Sequence, residues 1–187
     1  MNRPPIVSML LLATALGTAA CDSGFGPIVW DSTPDTSVIY SLSRPDLLGE
    51  PSAYDFAFLR RVEIESPVET GQWDMVLAEE GGGFVFIPSS AFSGLSTRSG
   101  LGIVEGTTLD DLTKAPGDTA FYHRAAVPVV QGAVYVVRTR TTSCYPYGSG
   151  AMYGKFEVLS IDMAAGAVKL AAVRNPYCNN RDLVPEE

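Results

Sequence analysis

The chain has 187 residues, of which 46% are hydrophobic, 18% charged and 10% aromatic. Its charged fraction is below the roughly 25% that is usual for soluble domains, while its apolar content can fill a core, so a disordered acidic protein is excluded. Thirteen Lys and Arg against twenty-one Asp and Glu give a net charge of −8. This balance argues against nucleic acid as a partner, because such binding depends on neutralising phosphates. The length predicts one domain.

The first twenty residues have the pattern of a secretory signal peptide. Arg3 precedes an apolar run over residues 6–16, and the small residues 17–20 (GTAA) follow it. The run is too short for an ordinary transmembrane helix, which needs about 20 apolar residues. We therefore expect export and removal of residues 1–20.

Cys21 comes directly after this segment and resembles the lipidated cysteine of bacterial lipoproteins. Thr18 stands where the lipobox usually has Leu, and ordinary cleavage at the Thr-Ala-Ala step is the alternative. Lipidation of Cys21 leaves Cys144 and Cys178, an even number of cysteines in an oxidising compartment. We expect Cys21 to carry acyl chains, palmitate among them, that anchor the protein to a membrane of the bacterial cell envelope, on its periplasmic or outer surface.

Residues 21–36 mix Gly, Pro, Asp, Ser and Thr and predict a flexible tether behind the lipidated cysteine. Trp30 is the residue of this tether that we expect to dock on the domain, since exposed indoles in linkers are uncommon. Residues 37–187 then form a single β-rich domain.

The pattern from Ser37 onward is an alternation of period two, enriched in Val, Ile, Tyr and Phe. It predicts an all-β fold, mostly antiparallel, either a sandwich or a partly open barrel, with one short helix. The predicted strands include residues 37–42, 73–79, 84–87, 133–142, 152–162 and 167–173. Glycines 81–83 can take positive φ and predict a β-hairpin between the second and third of these strands. A further alternating run at Tyr54, Phe56 and Phe58 resumes at Val62, with a bulge or break at residues 60–61.

Two segments between the predicted strands do not show this alternation. Residues 88–106 are rich in Ser and Gly and predict a long loop with a turn of helix near Ala91. A helix is predicted from Thr107 to Ala115, because Leu109 and Leu112 are three residues apart and Pro116 follows as a stop signal.

Alternation also divides the faces of the late strands. It places Tyr135, Val137, Phe156 and Val158 in the core. Arg138 and Arg140 then point to the opposite face, where truncation of Arg140 is expected to cost well under ~1 kcal/mol.

The chain lacks the residues of familiar catalytic and metal sites. His123 is the single histidine, and no P-loop, H-E-x-x-H or G-x-S-x-G motif occurs. One His and two Cys besides Cys21 argue against a zinc site. Three carboxylate pairs are interpreted as solvated faces: Glu63 and Glu65, Glu79 and Glu80, and Asp110 and Asp111. We predict no enzyme, no catalytic residues and no metal.

The segment 144–153 (CYPYGSGAMY) has the most unusual composition of the chain. Tyr with Gly and Ser is typical of adaptable recognition surfaces, so Tyr145, Tyr147 and Tyr153 are possible ligand or partner contacts. The alternative is that these tyrosines only cover an end of the fold. Two strands separate Cys144 from Cys178 and return the chain to the same end of the sheet, which predicts a disulfide.

Residues 73–77 (WDMVL), 134–139 (VYVVRT) and 153–159 (YGKFEVL) resemble strands of HmuY-like bacterial lipoproteins. The resemblance implies an anchored antiparallel β-domain in the cell envelope and capture of haem between two axial His or Met side chains. This chain has one His, and Met75, Met152 and Met163 are the methionines after the signal peptide. Haem is therefore possible as a cofactor, but no residue is assigned as its ligand.

The sequence thus predicts an exported, lipid-anchored envelope protein that acts as a non-enzymatic binding module of unknown ligand. Two alternatives stay open. One is an HmuY-like carrier of haem or another small ligand, and the other is a structural or assembly lipoprotein that contacts another envelope protein through a β edge or the tyrosine loop.

Overall fold

The computed structural model describes residues 30–43, 49–95, 97–144 and 148–186. Within them, ten strands form two five-stranded antiparallel sheets that pack as a sandwich and do not close into a barrel. The strands are β1 (Asp35–Tyr40), β2 (Ala53–Asp55), β3 (Arg60–Val62), β4 (Met75–Glu80), β5 (Gly83–Pro88), β6 (Gly100–Val104), β7 (Val127–Pro128), β8 (Val134–Ser143), β9 (Ser149–Asp162) and β10 (Ala167–Arg174). The first sheet has the order β1-β10-β9-β8-β6 and the second β3-β2-β4-β5-β7. The predicted all-β fold is confirmed.

The main core lies between the two sheets and is centred on aromatic rings. Tyr135 and Phe156 are neighbours on β8 and β9 and stack with ring centroids 4.8 Å apart. Phe86 of the second sheet meets both rings edge-on at 5.4 Å. Val137 and Val158 are fully buried in the same cluster, so the predicted inward face of β8 and β9 is confirmed.

The two predicted hairpins are present. β4 pairs with β5 through Glu80 and Gly83, and the turn residues Gly81 and Gly82 have φ of 61° and 83°. These angles favour glycine, as a tight hairpin turn requires. β9 pairs with β10 across the turn that follows Asp162.

The helix predicted over residues 107–115 does not form, and that prediction is wrong. Thr108 Oγ1 accepts the backbone N–H of Asp111, but the Ala115 N–H donates to the carbonyl of Arg181 at 2.8 Å. Lys114 likewise forms a bridge with Asp182. The C-terminal segment takes the backbone groups that a second helical turn would need. The described residues contain only three short 3₁₀ helices, at Pro67–Glu69, Ser89–Ala91 and Thr119–Phe121.

The loop predicted over residues 88–106 contains β6, which that interpretation missed. The two glycines of β6, Gly100 and Gly102, allow close packing of a neighbouring segment. A Cβ on Gly102 would lie 2.6 Å from the carbonyl oxygen of Phe121, and one on Gly100 would lie 2.9 Å from Tyr122 Cβ. Residues 121–123 therefore cover the outer side of β6, with backbone hydrogen bonds between Leu101 and His123.

The run that begins at Tyr54 breaks earlier than expected. Tyr54 and Phe56 are fully buried, but Phe58 is 58% exposed. Leu59 has φ of 49°, so the chain turns there, before β3 begins at Arg60.

The outer face of the first sheet is covered by residues 105–126 and by the C-terminal segment 175–186, here called the tail. Leu109 and Tyr122 from the former and Leu183 from the latter are buried against it. Lys155, also buried, donates its Nζ proton to the carbonyl of Leu112 at 2.9 Å, and burial lowers its pKa. No helix in the described ranges is long and apolar enough to span a membrane.

Candidate functional site

The disulfide between Cys144 and Cys178 is present, with the two Cα atoms 5.8 Å apart. Cys144 follows β8, and its backbone N–H donates to the carbonyl of Gly148, which closes the β8–β9 connection. The two strands between the cysteines, β9 and β10, return the chain to the same end of the sheet, as the sequence predicts. The disulfide therefore joins the tail to the tip of the β8–β9 hairpin, and we call this part of the molecule the disulfide end.

The tail lies directly on the start of β9. The Asn179 N–H donates to the carbonyl of Ala151 at 2.7 Å. A Cβ on Gly150 would lie 2.6 Å from Asn179 Nδ2 and 2.9 Å from Cys178 Cβ. Trp30 lines a cavity of about 80 Å³ together with tail residues such as Asn175, so the N-terminal part of the described chain enters at this end.

The predicted recognition residues are not all in the described part of the chain. Tyr145 and Tyr147 lie outside the described residues, as does Cys21. Tyr153 lies inside β9, and its ring is 5.8 Å from that of Tyr122. It therefore belongs to the covered outer face of the first sheet.

A groove of about 480 Å³ lies at the disulfide end, and we call it the hydroxyl groove. It is lined by Gly71, Gln72, Thr97, Arg140, Thr141, Thr142, Ser143 and Ser149. Five of these side chains carry hydroxyls and one a carboxamide. No carboxylate is among them, although the chain carries a net charge of −8.

One wall of the groove is formed by the end of β8 and the start of β9. β6 pairs with β8 only as far as Arg138, so the last part of β8 extends past it. Ser143 pairs with Ser149 across the hairpin, which brings their side chains to one face together with Thr141. The opposite wall includes Thr97, whose hydroxyl is 2.8 Å from that of Ser89.

Arg140 lies beneath this groove and corrects an expectation from the sequence. Alternation predicts it on the face opposite the core, and that prediction is wrong: Arg140 is 6% exposed, and its guanidinium contacts two fully buried carboxylates. Nη1 and Nη2 donate to the two oxygens of Asp55 at 2.8 and 3.1 Å, and Nη1 also donates to Asp74 at 3.2 Å. The register of β8 against β9 shifts between Arg138 and Thr141, and simple alternation fails there.

The contacts of Arg140 join the two sheets. Asp74 precedes β4 and Asp55 ends β2, both in the second sheet, whereas Arg140 belongs to the first. Asp74 also accepts the backbone N–H groups of Arg140 at 2.7 Å and of Phe56 at 2.8 Å. Burial raises the pKa of Asp74 to about 6, against the opposing effects of the Arg140 charge and these hydrogen bonds. Burial lowers the pKa of Arg140, but its hydrogen bonds to Asp55 and the two carboxylate charges outweigh that effect and raise it.

The ion pairs continue toward the surface. Arg60 donates from Nε to Asp55 at 3.2 Å and makes two hydrogen bonds with Glu69 at 2.7 and 3.0 Å. Arg174 is half-buried nearby, where burial lowers its pKa and the Asp55 charge raises it. Two arginines, Arg60 and Arg140, thus form ion pairs with Asp55, Asp74 and Glu69. With the charge of Arg174 included, the set carries no net charge.

The other sequence candidates do not form a site in the described residues. His123 is exposed and lines a cavity of about 410 Å³ whose lining residues include no methionine. Met75 and Met152 are buried, whereas Met163 is 51% exposed. The six residues of the three carboxylate pairs are all exposed. In the described ranges, no group of three His, Cys, Asp or Glu residues could hold a metal ion.

The buried ion pairs could not be located from the sequence. Asp55 and Asp74 are separated from Arg140 by 85 and 66 positions, and no local motif links them. The sequence held one signal for their burial: both aspartates lie between apolar residues that the structure buries. No protein-family model matches this chain, and no curated protein is significantly similar to it.

Proposed function

We propose that this protein is an exported, lipid-anchored protein of the bacterial cell envelope that binds a ligand or partner at the disulfide end without catalysing a reaction. The observation that carries the proposal is the hydroxyl groove beside the end of β8, which the disulfide joins to the tail. A disulfide of this kind is typical of proteins that fold in an oxidising compartment, which agrees with export.

The geometry of this end favours binding. Loops on rigid β scaffolds often carry function, and here the end of β8 and the start of β9 are held by the disulfide, by the Asn179 hydrogen bond and by the close contact at Gly150. A groove fixed in this way loses little conformational freedom when it binds, which favours affinity. Arg140, Asp55 and Asp74 below it are engaged with one another, so they support the shape of the groove, and among the residues described there they leave no free acid–base pair.

Crosslinking in intact cells tests the site. A photo-crosslinking amino acid at Ser143, an exposed position on the groove face of the hairpin, should give a discrete adduct. The same group at Lys169, which is exposed on β10, is the matched control and should give none. Equal labelling at both positions would contradict the proposal. A Soret band on adding haem to the purified protein would favour the HmuY-like haem carrier instead.

Membrane attachment has its own test. Cys21→Ala should release the protein from membranes, because the acyl chains are the proposed attachment and the strongly anionic body is repelled by anionic headgroups. Fractionation after a carbonate wash measures this. Retention of the variant in the membrane pellet would refute lipid anchoring.

A second candidate, an assembly role, is favoured by the open edge between the sheets. A groove of about 960 Å³ lies between β1 and β3, the edge strands of the two sheets. An exposed strand edge can pair with a strand of another protein. A crosslinker at Thr36 on β1 distinguishes the two, since an adduct there and none at Ser143 would favour assembly.

A further inference from the structure

We propose that the hydroxyl groove binds a neutral saccharide, an inference that rests on the proposed binding function and names its ligand class. Most small-molecule sites are lined by apolar and aromatic side chains with a few polar groups. Here the described lining is reversed, with five hydroxyls and one carboxamide among eight residues. Such a surface suits a ligand whose own surface consists mainly of hydrogen-bonding groups.

The type of polar group narrows the ligand further. Each Ser or Thr hydroxyl both donates and accepts, and the Gln72 carboxamide offers both functions in fixed directions. Sugar hydroxyls have the same dual character, so neighbouring groups of a saccharide can be matched by Thr141, Ser143 and Ser149 on one face of the hairpin. The groove volume of about 480 Å³ falls within the usual range for small-ligand sites.

The charges around the groove select against anions and cations alike. Among the described lining residues, only Arg140 is ionised, and its guanidinium is held by Asp55 and Asp74. With both carboxylates ionised, this triad carries one net negative charge, and the neighbouring charges of Arg60, Arg174 and Glu69 bring the whole set to zero. The set therefore offers no net attraction to a phosphate or carboxylate. The absence of a carboxylate from the described lining leaves a cationic ligand without a direct partner.

The test is a titration of the purified full chain with chitobiose and with maltose, followed by amide NMR. We expect saturable shifts at Thr141, Thr142 and Ser149 with one of these neutral disaccharides. Thr141→Val keeps the shape of an exposed strand residue but removes one hydroxyl, and it should weaken binding about 2- to 10-fold. Thr36→Val, an equally exposed strand position on β1, is the control and should leave the affinity unchanged.

Three outcomes would overturn the inference. One is the absence of shifts at the groove at about 20 mM of either sugar, well above a millimolar Kd. Another is an equal loss of affinity in both variants. The last is tighter binding of a uronic-acid disaccharide, which would mean that the groove prefers anions. A specific adduct at Ser143 without sugar binding would leave the proposed binding function standing and reject only the saccharide.

Discussion

A buried arginine connects the two sheets near the disulfide end. Arg140 comes from β8, and its two aspartate partners come from the other sheet. A buried ion pair adds little net stability, because taking the charges out of water offsets their attraction. Removing one partner is different, since it leaves the other charges buried and uncompensated.

Arg140→Met should therefore destabilise the protein by about 3–5 kcal/mol, because Asp55 and Asp74 would remain in the interior. The matched control is Arg138→Met. Arg138 is half-buried and donates to the carbonyl of Arg98 at an exposed site, so its loss should cost less than ~1 kcal/mol. Urea unfolding of both variants measures the difference. Similar losses at the two positions would show that the Arg140 contacts are not formed in solution.

Asp74 makes stability depend on pH in a direction opposite to that of most acidic residues. Its pKa in the folded protein, about 6, is above its usual value of 3.8. The folded state therefore binds this proton more tightly than the unfolded state. The resulting stabilisation is full below pH 3.8 and is lost as the pH rises through about 6.

We expect the carboxyl carbon of Asp74 to titrate by NMR with a midpoint near 6. The stability of the wild type relative to Asp74→Asn should fall by up to about 3 kcal/mol from the acidic to the neutral end of this window. A midpoint below 4 would mean that Arg140 and the two backbone N–H donors outweigh burial.

At the scale of elements, β6 shows how packing can reverse a local signal. Glycine in a strand weakens it, and a Ser- and Gly-rich stretch normally indicates a loop. Gly100 and Gly102 are nevertheless in a strand, because the chain at Phe121 and Tyr122 approaches too closely for a side chain. Residues 121–123 thereby cover β6, the edge strand of the first sheet.

Gly102→Ala should lower stability by about 1–3 kcal/mol, because its Cβ would lie 2.6 Å from the Phe121 carbonyl oxygen and force the covering segment to shift. Gly83→Ala is the control, since nothing lies within 4 Å of the new Cβ and its backbone is not in the left-handed region. It should change stability by less than ~0.5 kcal/mol. Thermal unfolding measures both. A neutral Gly102→Ala would show that residues 121–123 do not pack on β6.

Elements that depend on local patterns were predictable, and those that depend on distant contacts were not. The β4–β5 and β9–β10 hairpins follow from alternation and from turn glycines such as Gly81. The helix at residues 107–115 failed because Arg181, far away in sequence, takes the N–H of Ala115. The register shift after Arg138 left no local trace, so Arg140 was placed on the wrong face.

At the scale of the whole molecule, the disulfide restrains the tail that covers the first sheet. The tail also holds residues 113–115 through the Leu183 and Arg181 backbone hydrogen bonds. Part of the candidate site could be anticipated, since the cysteine pair was predicted from the count of strands between them. The hydroxyl groove could not, because Gln72 and Thr97 reach it from parts of the chain far from β8.

Replacing both cysteines, Cys144→Ser with Cys178→Ser, should cost about 3–4 kcal/mol, as expected for a closed loop of this length. The amide of Asn179, which is bonded to Ala151, should then exchange faster with solvent. Chemical unfolding and hydrogen exchange measure the two effects. Unchanged exchange at Asn179 would mean that the tail is held without the disulfide.

The β4–β5 turn lies at the end of the sandwich opposite the disulfide. β4 runs away from the disulfide end, because Asp74, just before the strand, contacts Arg140. Farther along β4, the carbonyl of Leu77 accepts the N–H of Leu42, which lies beyond the far end of β1. Gly81, Gly82 and Gly83 have open space where side chains would be. This turn is thus a place where a short epitope can be inserted without disturbing packing. Antibody access to that epitope on whole cells would report which end of the molecule faces outward.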